Sequence, residues 1–274
     1  MKKILYLIVL FTSGAFAHDH VYIGCERNDS SKLAFDGPSV QYAPYLPKGE
    51  KFDPQYASNW PGGYFVTELT FTTQIDISAL NQIPDSAFQS GASPQVELIS
   101  VSGPPGGTIT FWDFGASIPT WSRSTGWSSP GPSDRPYLAV PTFWQHEHGR
   151  AFAADQPGDY RLIFQITDRN NVLSPCTNSY ELTIHAVTPP PLSIRITNSV
   201  AILSFTNRTP GRPPRTGAYY DIQHKADLRE VDWPILQRRP NQDLYPEDET
   251  SQTIEFAIPI TDPKAFFRIV EHFY

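Results

Sequence analysis

Tyr64-Phe65-Val66-Thr67-Glu68-Leu69-Thr70-Phe71-Thr72-Thr73-Gln74-Ile75-Asp76-Ile77 is the stretch that sets the fold class. β-branched and aromatic residues fill it, and side chains of unlike polarity alternate along it. Alternation with a period of two residues marks a strand with one buried face. Working outward, the same pattern returns in short runs at residues 20–25, 32–35, 96–102, 108–114, 143–153, 158–168 and 180–186. Gly103-Pro104-Pro105-Gly106-Gly107 and Gln156-Pro157-Gly158-Asp159 read as tight turns between such runs. Pro157-Gly158 suits a type II turn, and Tyr160 then opens the returning strand with its ring toward the core. Residues 38–63, rich in Pro, Tyr and Gly, read as an ordered surface loop, and residues 118–141 as a long Ser, Pro and Trp segment. Long helical periodicity is absent, and short strands broken by turn residues predict an all-β protein.

Thr188-Pro189-Pro190-Pro191 reads as a stiff linker at residues 188–191, because proline runs favour extended chain. Beyond it the strand pattern restarts. Residues 192–196 and 200–205 form a hairpin around Asn198-Ser199, followed by runs at 219–224, 233–236, 253–258 and 265–270. The expectation is two β-sandwich domains, residues 18–187 and 192–274, the second small and fibronectin type III-like.

The N-terminus carries an address. Lys2 and Lys3 precede a short apolar run at residues 4–11, and Ala15-Phe16-Ala17 is a small-x-small cleavage site. This is the pattern of a secretory signal peptide, residues 1–17. The run is too short to cross a bilayer as a helix, which needs about 20 residues. No later stretch is apolar enough either, and the end at Tyr274 has no sorting motif. The expected product is secreted or otherwise extracytoplasmic, without a transmembrane anchor of its own. With 21 basic and 28 acidic residues the net charge is −7, which argues against nucleic acid as a partner. Two cysteines, Cys25 and Cys176, read as one disulfide in an exported chain. The alternative is a pair of metal-binding thiolates, against which stands the lack of any Cys-x-x-Cys.

Four of the seven histidines form two His-x-His pairs, His18-Asp19-His20 and His146-Glu147-His148. Residues i and i+2 of a strand share a face, so each pair presents two imidazoles side by side. That arrangement suits a transition metal, copper or zinc. Cleavage after Ala17 would make His18 the N-terminal residue. Its amine and ring could then chelate one metal as a histidine brace. Alternatively the amine, two backbone amides and His20 could form a square-planar site favouring Cu(II) or Ni(II). The two modes compete for one amine. The structural alternative is that both pairs merely cap a sheet face.

Residues 94–168 resemble the choice-of-anchor M domain and the related surface-anchored repeat of actinobacteria. The likeness is carried by Val101-Ser102-Gly103-Pro104-Pro105-Gly106-Gly107, Phe111-Trp112, His146-Glu147-His148, Phe152, Gln156-Pro157-Gly158-Asp159-Tyr160 and Phe164. The opening His18-Asp19-His20-Val21-Tyr22-Ile23-Gly24 is similar to that family's first strand, so the likeness spans most of residues 18–187. It implies an exported or surface-attached protein, some of whose relatives accompany transporters thought to handle metals, and it implies no catalytic activity. Tyr220-Asp221-Ile222-Gln223-His224-Lys225-Ala226-Asp227-Leu228, Trp233 and Phe266-Phe267-Arg268-Ile269 resemble a C-terminal β-module of secreted verrucomicrobial proteins, which implies an accessory or interaction domain.

Trp121, Trp127, Tyr137 and Trp144 cluster near the long central segment. They are candidates for stacking on sugar rings, against the plainer reading that they cover the core. No Gly-x-Ser-x-Gly elbow, His-Glu-x-x-His or phosphate-binding loop is present, so no catalytic residue is assigned. The leading expectation is a non-enzymatic, surface-associated or binding protein that chelates a metal through His18, His20, His146 and His148. Its partner would be that metal ion or a cell-envelope component. The alternatives are an adhesive module binding glycans or envelope proteins, and a copper oxidoreductase using His18 as a brace.

Overall fold

The structure is a computed structural model that describes residues 11–13, 19–46, 63–73, 80–140, 150–187, 193–198, 200–206, 219–225, 234–240, 253–259 and 266–272. It is nearly all strand, as the alternating runs require. Two compact units divide the chain. The larger comprises His18–Pro44 and Lys51–Val187, and the smaller Met1–Ala17, Tyr45–Glu50 and Thr188–Tyr274.

The first strand, β1 (Phe11–Ser13), belongs to the smaller unit. The larger unit begins with the hairpin β2 (Asp19–Glu26) and β3 (Asp29–Asp36), then β4 (Val40–Leu46) and β5 (Tyr64–Thr73). A short helix, α1 (Asp85–Gln89), precedes β6 (Pro94–Ser102), β7 (Thr108–Trp112), β8 (Trp121–Ser124) and β9 (Tyr137–Ala139). Then come β10 (Ala151–Ala154), β11 (Gly158–Asp168) and β12 (Tyr180–Val187). The sheet order is β8-β7-β10-β5-β4-β12-β11-β6-β9, with β2 joining β5 in parallel and β3 joining β2.

This long sheet curls so that one part of its inner face packs on another. Phe111, Trp121 and Phe152 come from β7, β8 and β10, and Phe71 from β5; Phe164 and Tyr180 face them from β11 and β12. Phe152 meets Phe164 at 6.2 Å between ring centroids, and Phe71 meets Phe164 at 5.8 Å and Tyr180 at 6.0 Å. Edge-on geometries of this kind add to the area that aromatic rings bury. On β11 the alternation is complete: Tyr160, Leu162, Phe164 and Ile166 point inward, while Asp159 and Arg161 point outward. Arg161 pairs there with Glu181 on β12.

Two connections are fixed by single residues. Gly158 has φ +132°, and a β-carbon there would come within 2.6 Å of Pro104. Only glycine fits that turn. The buried Asp168 ends β11, and its carboxylate accepts N–H bonds from Ser93 (2.7 Å), Asn170 (3.1 Å), Val172 (2.9 Å) and Leu173 (2.9 Å). One side chain thus satisfies four backbone donors that would otherwise lack partners in a tight loop.

Two expectations need correction. Residues 38–63 are not all loop, because β4 runs parallel to β12 with Val40 beside Thr183. The segment at residues 118–141 contributes the edge strands β8 and β9. The proposed linker at residues 188–191 lies outside the described residues.

In the smaller unit, β13 (Ser193–Thr197) and β14 (Val200–Thr206) form the expected hairpin, with Asn198 at φ +49°. They are followed by β15 (Tyr219–Lys225), β16 (Ile235–Pro240), β17 (Thr253–Pro259) and β18 (Phe266–His272). The sheets are β1-β18-β15-β16 and β13-β14-β17. Leu203, Phe205, Ile222, Phe256, Ile258, Phe267 and Ile269 form the core. Asp221 is buried and held by both ends of the Arg238 guanidinium at 2.7 and 2.8 Å. Among the described residues no helix is long and apolar enough to cross a membrane.

Because Phe152 joins the two halves of the curled sheet, Phe152→Ala should cost about 3–5 kcal/mol, the usual range for a buried phenylalanine. Urea unfolding checks this, and an unshifted midpoint would contradict the assigned core.

Candidate functional site

The site is built on β2 and β5. Val21, Ile23 and Cys25 of β2 point into the core, so His20 and Tyr22 share the other face. The His20 ring stacks on Tyr22 at 5.6 Å and 16° between planes. In register, His20 lies beside Thr70 of β5, and Tyr22 beside Thr72. Glu68, two residues before Thr70, therefore lies on the face that carries His20. That face reads as solvent-exposed in the sequence, yet Glu68 is only 5% exposed and Thr70 and Thr72 are buried too.

β10 flanks β5, with Ala151 beside Glu68. Just before it, Arg150 is 4% exposed. Its Nε donates to Asp113 at 2.7 Å and its Nη1 to the Ala139 carbonyl at 3.1 Å. Its own carbonyl accepts from the Leu69 N–H at 3.4 Å. Arg150 thus ties the start of β10 to β9 and to β5.

Of the four histidines expected to bind metal, His20 is described. His18, His146 and His148 lie outside the described residues, as does Trp144. Among the described residues, no group of three or more His, Cys, Asp or Glu could hold a metal ion. Glu68 and Arg150 are the members that sequence reasoning missed. The only signal was that uncharged Val66 and Thr70 flank Glu68 on its face. His185 and His224 are tied locally: His185 Nδ1 lies 2.6 Å from Asp159, and His224 packs 5.5 Å from Phe267.

The aromatic candidates separate. Trp121 is not a surface platform but a core residue, 7% exposed, stacked on Phe111 at 5.7 Å and edge-on to Phe152 at 6.0 Å. β8 turns it inward by the alternation that leaves Ser122 outside. Trp127 is half-buried beneath the Arg123 guanidinium, 4.8 Å above its ring. Tyr137 is exposed, with Arg169 at 5.9 Å. Phe114 and Ile118, in the β7–β8 connection, are exposed at 55% and 72%, which no pattern in the sequence signals.

The expected Cys25–Cys176 disulfide is not formed; both residues are buried thiols. Cys25 lies on β2 beside Leu33 of β3, and Leu33 donates on its other edge to Ser174 at 2.9 Å. Ser174 is two residues before Cys176, whose own N–H bonds the Ile166 carbonyl at 3.0 Å. Burial, with Asp29 nearby, pushes the Cys25 thiol up to about 11, so neutral pH leaves it protonated and unreactive. Burial raises Cys176 as well.

No known protein-family model matches this chain, and neither does any curated protein.

Unfolded in denaturant without reductant, the protein should present both thiols to a thiol reagent; protection of both would restore the disulfide. The raised Cys25 pKa also fixes a pH dependence. The folded state keeps a proton that the unfolded thiol, at 9.0, releases, so this contribution is intact below pH 9 and falls away towards pH 11. Melts across that window should show Cys25→Ala losing less stability with rising pH than the parent; equal losses would contradict the assignment.

Proposed function

We propose that this protein works outside the cytoplasm as a non-enzymatic binding protein that chelates a transition metal, copper or zinc, through its two His-x-His pairs. The observation that carries the reading is the double role of Leu69. Leu69 is the register partner of Asp19, which lies between His18 and His20, and its N–H bonds the carbonyl of Arg150. Asp19 and Arg150, each close in sequence to one of the pairs, therefore both meet β5 at Leu69, which supports a shared site.

Further support comes from the leader-like residues 1–17 and from the resemblance of residues 94–168 to choice-of-anchor M domains. The chemistry is chelation, because no nucleophile or general-base pattern accompanies the histidines. The adhesive alternative retains Trp127 and Tyr137 as surface aromatics. It differs in outcome, since glycan or envelope binding through those rings would persist in a chelator.

The test uses protein exported with its own leader, so that the natural N-terminus is kept. Calorimetry with Cu(II) and Zn(II) should give sub-micromolar binding that the His146→Ala/His148→Ala variant loses. Binding that survives in the variant would confine the site to the His18-Asp19-His20 terminus. Absence of binding in the parent would overturn the metal reading.

A further inference from the structure

We infer that β1 is a removable cover on the sheet of the smaller unit, and that its loss opens the edge of β18 to β16 of a second copy of this chain. The inference goes beyond metal binding and rests only on the reading of residues 1–17 as a leader. β1 lies within those residues, yet it completes the sheet β1-β18-β15-β16. It runs parallel to β18, with Phe11 beside Ile269, Thr12 beside Val270 and Ser13 beside Glu271. Hydrolysis of the Ala17–His18 bond lets β1 leave with the leader. Backbone groups along one edge of β18 then lose their partners, and such an edge is a template for another strand.

Direction and register point to the occupant. β18 is antiparallel to β15, and β15 to β16, so β16 runs the same way as β18 and β1. A second copy set sideways in the same orientation therefore brings its β16 to β18 in parallel, as β1 lies before cleavage. Both strands are registered against β15. Tyr220 is beside Arg239 on one flank and Glu271 on the other, Asp221 beside Arg238 and Val270, and Ile222 beside Gln237 and Ile269. A sideways step without sliding thus sets Arg239 of the second copy beside Glu271, in the place of Ser13. Opposite charges directly across two strands favour their pairing. Among the described residues, no strand pairs with the outer edge of β16. Ile235 and Leu236 at its start are 51% and 50% exposed, apolar surface that a neighbouring strand covers. Contact between unlike edges repeats head to tail, so the product is a ring or an open series of copies.

The experiment uses protein exported with its own leader, its start at His18 verified by mass, in a chelator so that metal plays no part. Sedimentation velocity should show association that grows with protein concentration. A peptide of residues 8–15, Ile-Val-Leu-Phe-Thr-Ser-Gly-Ala, added in trans should reverse that association by refilling the edge of β18. Glu271→Arg should weaken association by roughly fivefold or more, the scale of one cross-strand charge pair, and Glu271→Arg/Arg239→Glu should restore it. Ile235→Lys, at an exposed position outside the core, should weaken it as well, and decides the matter if Glu271→Arg fails to fold. A cleaved chain that stays monomeric at all concentrations would overturn the inference, as would association indifferent to the peptide or to these substitutions. A mass that begins at Met1 would overturn the leader reading and this inference with it. Each of these outcomes leaves chelation to its own test.

Discussion

Phe152 and Phe164 touch across the middle of the larger unit, and most of its order follows from what that contact requires. Each ring sits on a strand whose alternate side chains face inward, so the pair fixes the registers of β10 and β11. Phe111 and Trp121 extend the aromatic column on one side, and Phe71 and Tyr180 extend it on the other. A sheet that curls onto itself has little else to hold its halves at the right separation. Hydrogen bonds run along the sheet and not between its layers, so the layer-to-layer force is the burial of these rings.

A second constraint follows from the first. β5 is buried on both faces, with Leu69 and Phe71 on the core side and Glu68, Thr70 and Thr72 on the other. Burying hydroxyls and a carboxylate is costly unless they find partners. The outer face of β11 and β12 is also polar, but there Arg161, Glu181 and Asp159 stand in water, where such pairs contribute little. The same residue types therefore carry different weight on the two faces.

Strands with full alternation were legible in the sequence. Residues 158–168 match β11 from end to end, and the hairpin about Asn198 lies where its turn residues put it. β4 was not legible, because Pro44 and the surrounding prolines read as loop; the proline is tolerated at the end of a parallel pairing, where Pro44 lies beside Val187. β8 and β9, with four and three residues, are too short to display a period, and α1, with five, is too short to show a helical one. The buried polar face escaped for a deeper reason. Alternation says that two faces differ; it does not say that the polar one meets water. The disulfide reading failed similarly, because counting cysteines says nothing of how the fold places them, and both are free thiols.

Arg150 has a consequence for how this protein can change. It secures the start of β10 to β9 and β5, and Val140, which follows β9, is held to Pro94. The edge of the larger unit is thus pinned by polar bonds of its own, so substitutions there need not disturb the aromatic column, and the column can hold the fold while the edge changes.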